Sequence, residues 1–91
     1  MYEKGRKKGT MQFSVALTNG AEEVALVGDF TSWKPLAMKK QKNGRFAVTV
    51  ALPTGVYEYR FVADGEWLSD PDHSHLVPNP FGTRNSVAQV Q

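Results

Sequence analysis

The sequence predicts an all-β fold in which antiparallel sheets pack as a sandwich. Several short runs alternate apolar and polar residues, at intervals of about ten residues. Turn-forming residues separate these runs. No window of ten or more residues carries apolar side chains at helical spacing, so we expect strands throughout the folded part.

The 91 residues fit one domain, which we place at residues 10–91, after a mobile basic tail over residues 1–9. Four of the eleven basic residues lie in this tail, at Lys4, Arg6, Lys7 and Lys8. From Thr10 onward, seven basic residues are balanced by eight acidic ones. A solvated tail is therefore favoured over one that binds phosphates or an acidic surface.

Five strands are predicted, over residues 11–18, 23–30, 45–52, 56–63 and 86–90. In the first three, the large apolar side chains fall on every second position, as a half-buried strand requires. The fourth turns Tyr57, Tyr59 and Phe61 to one face, and Glu58 and Arg60 to the other. The fifth is a short run at the end of the chain.

Turn signals lie between these strands, at Asn19-Gly20, Asn43-Gly44, Pro53-Thr54-Gly55 and Asp64-Gly65. Asp64-Gly65 is the strongest of them. A type I′ hairpin turn needs positive φ at both central residues, and Asp and Gly tolerate it.

Three aromatic residues occupy positions that core packing explains poorly. Trp33 precedes Lys34-Pro35, which ends strand pairing, so we expect it at a strand end or on a loop. Trp67 follows the hairpin turn, and the sequence leaves its face open. Phe81 lies in a loop rich in proline, glycine and amides. A lone tryptophan is more often a core or rim anchor, but two beside turns, with the outward Arg60 nearby, favour a ligand surface.

Such a surface suits a sugar. An aromatic plane covers the apolar C–H patch of a sugar ring, while Arg, Lys, Asn and Thr side chains bind its hydroxyls. Two aromatic planes at an angle would suit a curved α-1,4-glucan better than a flat ribbon such as cellulose.

Four segments resemble the glycogen-binding modules of carbohydrate-binding module family 48: residues 24–33, residues 52–67, Asp70-Pro71 and residues 78–87. That family includes the glycogen-binding domain of the AMP-activated protein kinase β subunit and the early-set domains of branching and debranching enzymes. The resemblance covers about residues 12–90. It implies an immunoglobulin-like β-sandwich of early-set type that binds glycogen, starch or malto-oligosaccharide and is not an enzyme.

The resemblance implies six carbohydrate-binding positions: Trp33, Arg60, Trp67, Phe81, Thr83 and Asn85. The two tryptophans match the stacking residues of the family, and the threonine and asparagine match its polar contacts. The arginine stands where the kinase-type module has a lysine, so a planar fork replaces a compact ammonium. The phenylalanine stands where that module has a smaller leucine, which bears on the depth and preferred length of the bound glucan.

No catalytic residue, metal site or cofactor is predicted. Asp64 and Asp70 lie in turn contexts, and so short a chain offers no deep cleft in which to raise the pKa of a carboxyl group. His73 and His75 have no further His or Cys nearby and are expected to be solvated. Ser74 lacks the glycine framing of a nucleophile.

The predicted partner is an α-glucan, with a tethered enzyme or kinase as a second partner and neither nucleic acid nor membrane. Nucleic acid is disfavoured because acidic residues neighbour Trp33 and Trp67. With no cysteine and no apolar leader, we expect a cytoplasmic location. The alternative is a structural or protein-docking immunoglobulin-like module of a glucan-active enzyme or kinase complex, with a weakened sugar site. That alternative predicts the loss of one stacking aromatic.

Overall fold

The computed structural model describes residues 1–17, 20–72 and 75–91. Within these ranges the strands are β1 (Tyr2–Lys4), β2 (Thr10–Val15), β3 (Val24–Gly28), β4 (Leu36–Ala37), β5 (Lys39–Lys40), β6 (Phe46–Ala51), β7 (Gly55–Ala63), β8 (Glu66–Leu68), β9 (Leu76–Pro78) and β10 (Arg84–Val90). A single 3₁₀ turn, Asp29–Thr31, follows β3 in this part of the chain. Across the described ranges, no helix is long and apolar enough to span a bilayer.

The strands form two antiparallel sheets, which confirms the predicted all-β fold. The first sheet has the order β1-β2-β6-β5. The second has the order β4-β3-β7-β10-β9, with the short β8 paired to β7. The long strand β7 is central to the second sheet, and its two faces carry different kinds of side chain.

The core lies between the sheets and is built around aromatic rings. Phe13 from the first sheet meets Tyr59 from the second edge to face, with ring centroids 5.0 Å apart, and Tyr59 in turn meets Phe61 at 5.7 Å. All three side chains are fully buried. Burying one such side chain stabilises the fold by about 1.5–3 kcal/mol. The alternation of core and outward residues along β7 therefore determines which of its faces turns inward.

A buried carboxylate closes one side of this core. The Tyr59 hydroxyl donates to Asp70 Oδ2 at 2.6 Å, and the Asp70 main-chain N–H donates to Ser86 Oγ at 2.7 Å. The Met1 amino group pairs with the same carboxylate. Burial, followed by the bond to Asp70, raises the pKa of the Tyr59 phenol well above its usual value. Asp70 accepts the Asp72 N–H, as in a turn, and serves mainly to satisfy buried polar groups.

The segment predicted as a mobile basic tail, residues 1–9, contains a strand. Tyr2–Lys4 form β1, an edge strand paired with β2. The Tyr2 ring packs 6.2 Å from both Phe13 and Tyr59, and its hydroxyl accepts the Gln89 N–H at 3.1 Å. The prediction rested on the basic residues and did not consider this aromatic side chain. Burial of the Tyr2 ring at the edge of the core is favourable in free energy.

The other differences from the predicted strands lie at their ends. The first predicted strand ends at Val15, and Thr18 and Asn19 fall outside the described residues. The second ends at Gly28, where the backbones of two strands approach closely. A Cβ at Gly28 would lie 2.7 Å from the Glu58 carbonyl oxygen. The chain then turns out of the sheet at Asp29.

Candidate functional site

The outer face of the second sheet carries an open groove of about 670 Å³. The groove brings together all six residues that the sequence singled out, and adds Asp29, Glu58, Asn79 and Pro80. Its three aromatic rings remain open to solvent: Trp33 is 36% exposed, Trp67 is 48% exposed and Phe81 is 88% exposed. Apolar area left uncovered in one concave place is characteristic of a binding surface.

Trp33 is presented by the tight turn that follows β3. Ser32 and Trp33 both have left-handed backbones, with φ of 55° and 58°. Two consecutive non-glycine residues in that region cost about 1–2 kcal/mol each. The main-chain N–H of Trp33 bonds to the Gly28 carbonyl at 3.0 Å, and its indole Nε1 donates to Asp29 Oδ1 at 3.1 Å. One hydrogen bond thus holds the backbone of Trp33 and another holds its indole.

Trp67 is presented by the β7–β8 hairpin. Asp64 and Gly65 both have positive φ, 49° and 84°, as the predicted type I′ turn requires. Trp67 pairs with Val62, so the two side chains lie on the same face of the sheet. Arg60 is two residues from Val62 along β7 and therefore lies on this outward face as well. The Arg60 guanidinium carbon lies 5.8 Å from the centroid of the Trp67 ring. The face that the sequence left open is the groove face.

Arg60 has hydrogen-bond donors to spare. Its Nη1 donates to Thr83 Oγ1 at 3.2 Å. Its Nε is buried and has no partner within the described ranges, where Arg60 also forms no ion pair. A buried donor left unmatched costs about 1–3 kcal/mol.

The loop between β9 and β10 is organised by Asn79, which sequence reasoning passed over. Its Oδ1 accepts the main-chain N–H groups of Phe81 at 3.0 Å and Thr83 at 3.2 Å. Its Nδ2 donates to Thr83 Oγ1 at 2.7 Å and to Asn85 Oδ1 at 2.9 Å. Asparagine ahead of proline, in a loop ending at glycine, is typical of side chains that cap their own turn. That pattern could have identified it.

Asn85 differs from the other five predicted residues because it is only 7% exposed. Its Nδ2 donates to Glu58 Oε1 at 3.0 Å, and its Oδ1 is used by Asn79. The Glu58 N–H in turn donates to Asp29 Oδ2 at 2.8 Å. A continuous chain of polar contacts therefore runs beneath the groove, from the Trp33 turn to the Phe81 loop.

The groove combines apolar aromatic planes with both hydrogen-bond acceptors and hydrogen-bond donors. Asp29 and Glu58 supply carboxylate oxygens, and Arg60 supplies N–H donors. Across residues 1–17, 20–72 and 75–91, no cluster of three His, Cys, Asp or Glu residues is arranged to hold a metal. His75 is exposed, and His73 and Ser74 lie outside the described residues. The arrangement suits a ligand with an apolar face and a hydroxylated edge.

Comparison with known proteins places this groove in context. Residues 11–91 match the family described as the glycogen recognition site of AMP-activated protein kinase. The chain is 36% identical over 74 residues to 5′-AMP-activated protein kinase subunit beta-1 of Rattus norvegicus, covering 81% of the chain and 27% of that subunit. It is 31% identical over 72 residues to SNF1-related protein kinase regulatory subunit beta-2 of Arabidopsis thaliana, covering 79% and 25%. The chain thus spans about a quarter of these relatives.

Solved structures agree on the fold. The maltogenic amylase from S. marinus contains a segment that superposes on the whole chain with a TM-score of 0.77 and 26% identity, corresponding to 16% of that enzyme. A putative alpha amylase from Salmonella typhimurium matches 77% of the chain with a TM-score of 0.61, over 12% of its own length. In both enzymes, the matching part is a small fraction of a longer protein.

Proposed function

Because the chain belongs to the glycogen-recognition family of AMP-activated protein kinase, we propose that its groove binds α-1,4-linked glucan, such as glycogen, starch or malto-oligosaccharide, without catalysis. The family resemblance read from the sequence is confirmed by this match. The match to the S. marinus enzyme agrees with the early-set sandwich that the resemblance implied.

The observation that carries this proposal is the joint exposure of Trp33, Trp67 and Phe81 around one groove. Three exposed rings leave a large apolar area in contact with water for a domain of this size, and that contact is unfavourable in free energy. The rings would cover the C–H patches of successive sugars. Arg60 and Thr83 would bind their hydroxyls, because both carry polar atoms at the groove surface. Asn85 would bind sugar hydroxyls too, from its more buried position beneath the groove surface.

The competing function is a structural or protein-docking module with a weakened sugar site. That function predicts the loss of one stacking aromatic, whereas Trp33 and Trp67 both remain exposed. Glucan binding is therefore the better supported function. Kinase β subunits are among the relatives, so we propose a kinase complex or a tethered enzyme as a second partner. The lack of cysteine supports a reducing compartment, for which we propose the cytoplasm.

The affinity should be modest, since water competes for every hydroxyl in an open groove. We expect a Kd of roughly 10 μM to 1 mM for a short oligosaccharide.

The test of the proposed function is Trp67→Ala, because truncation removes the stacking area outright. It should weaken maltoheptaose binding about 10-fold or more in calorimetry, and more than Arg60→Ala does. Trp67→Phe, which keeps a ring, is the matched control. Unchanged affinity in Trp67→Ala would contradict this placement of the site.

A further inference from the structure

We propose that Asn79 is a positioning residue that holds the Phe81 loop in its binding conformation. This inference rests on the proposed function and concerns how the groove is built. In this account, glucan affinity depends on the Asn79 side chain through Phe81, whether or not the amide itself meets a sugar.

The loop of residues 79–83 is closed almost entirely by Asn79. Two bonds to its side-chain oxygen come from the main-chain N–H groups of Phe81 and Thr83. Its own main chain adds two more: the Asn79 N–H donates to the Thr83 carbonyl at 3.0 Å, and the Gly82 N–H donates to the Asn79 carbonyl at 3.4 Å. Gly82 has φ of 81°, which permits the tight return.

Packing does little to hold Phe81, because its side chain is 88% exposed and lies outside the core cluster. The direction of the ring therefore depends on the backbone of the loop. A ring on a loose loop must be ordered when ligand binds, and the ordering of the loop backbone has a cost in affinity. A loop already closed by Asn79 avoids much of this cost.

The amide nitrogen of Asn79 connects the same loop to the rest of the groove. It donates to Thr83 Oγ1, which also accepts from Arg60 on β7. It also donates to Asn85, which reaches Glu58 on the same strand. Asn79 therefore fixes the distance between the Phe81 loop and the strand that carries the guanidinium.

A double-mutant cycle tests this role, with β-cyclodextrin affinity measured by calorimetry. Asn79→Ala and Phe81→Ala should each weaken binding about 5- to 10-fold, the first because the loop loses the hydrogen bonds that close it and the second because the apolar contact area of the ring is lost. Because Asn79 acts through Phe81, the double variant should bind within about 2-fold of Phe81→Ala. The matched control is Asn43→Ala. Asn43 accepts the Arg45 N–H at 3.0 Å in a turn outside the groove, so its loss should change affinity less than about 2-fold.

Multiplying losses in the double variant, or unchanged affinity in Asn79→Ala, would overturn the inference. Unchanged affinity in Phe81→Ala would overturn it as well, while Trp67→Ala still tests the proposed function separately. A measurement on the parent protein needs no variant: the amides of Phe81 and Thr83 should exchange hydrogen at least about 10-fold more slowly than in an unstructured peptide. Unprotected exchange at both amides would contradict the role of Asn79.

Discussion

Asp29 shows how one side chain can prepare a binding surface without forming its apolar part. Each of its two carboxylate oxygens accepts one hydrogen bond, Oδ1 from the Trp33 indole and Oδ2 from the Glu58 main-chain N–H. The bonds tie the 3₁₀ turn to β7. Asp29 therefore has a mechanical role, and the orientation of Trp33 depends on it.

We predict that Asp29→Ala weakens maltoheptaose binding about 5-fold, because the Trp33 indole loses its hydrogen bond and its fixed plane. Calorimetry gives the affinity, and a shift in tryptophan emission reports the altered surroundings of the indole. The control is Asp72→Ala, which removes an exposed carboxylate 3.4 Å from Arg45 and outside the groove. Equal affinities for the two variants would contradict this role of Asp29.

Tyr59 gives a prediction about pH. Its phenol has a pKa raised by burial and by the bond to Asp70, so the folded chain holds this proton more tightly than the unfolded chain does. The resulting stability is fully present below about pH 10 and is lost as pH rises above it. In urea titrations at pH 8 to 11, the parent should lose unfolding free energy more steeply than Tyr59→Phe. At pH 8 the variant should already be less stable by about 1.5–3 kcal/mol. Parallel pH curves would refute this.

At the scale of elements, β1 was not predicted, because the basic residues around it indicated a tail. It adds an edge to the first sheet and places the Tyr2 ring against two core rings. The basic side chains gather in the loop that follows, where Arg6, Lys7 and Lys8 are exposed. Charge and packing therefore act on different residues of the same short segment.

We expect Tyr2→Ala to lower the free energy of unfolding by about 1–3 kcal/mol, since a half-buried ring is removed from the core edge. Urea denaturation followed by circular dichroism measures the change. Lys8→Ala, in the adjoining loop, should stay within about 0.5 kcal/mol of the parent. An unchanged urea midpoint in Tyr2→Ala would contradict this contribution of the Tyr2 ring.

The strands that the sequence predicted are the ones long enough to show alternation. β2, β3, β6 and β7 follow from it, and β10 was predicted only as a short run at the end of the chain. β4, β5, β8 and β9 have only two or three residues each. So short a strand pairs because its neighbour offers free backbone groups, and no local pattern records that.

The site was foreseeable to a similar extent. Trp33 and Trp67 are marked by the turns beside them, Phe81 by its polar loop and Arg60 by its outward face. Thr83 and Asn85 came from the family resemblance alone. The links through Asp29 and Glu58 were not foreseen, because they join segments that lie 29 and 27 residues apart in the sequence. The bonds of Asn79 are local, and only its turn-capping pattern could have indicated them. The face of Trp67 also needed the hairpin register, which only the pairing of Val62 with Trp67 supplies.

On the scale of the whole molecule, charge and binding surface are separated. The calculated pI near 9.0 arises largely from Lys4, Arg6, Lys7 and Lys8. None of these four lines the groove, where two carboxylates accompany one guanidinium. The basic pI therefore says little about the ligand that the groove binds.

This separation predicts that glucan binding is nearly independent of salt, because the ligand carries no charge. Between 50 mM and 500 mM NaCl, the Kd for maltoheptaose should change by less than about 2-fold. A single-stranded nucleic acid added under the same conditions should bind weakly and lose that binding as salt rises. A steep salt dependence for the glucan would show that charged groups, rather than stacking, carry the affinity.

The most direct test of the central claim is a titration followed by tryptophan fluorescence and by heat. β-Cyclodextrin and maltoheptaose are the ligands, and cellohexaose is the control with a flat chain. We predict saturable binding of both α-glucans, with a Kd of roughly 10 μM to 1 mM, a change in tryptophan emission and no response to cellohexaose. Absence of binding at millimolar α-glucan, or equal binding of cellohexaose, would contradict the account and favour a docking role for the domain.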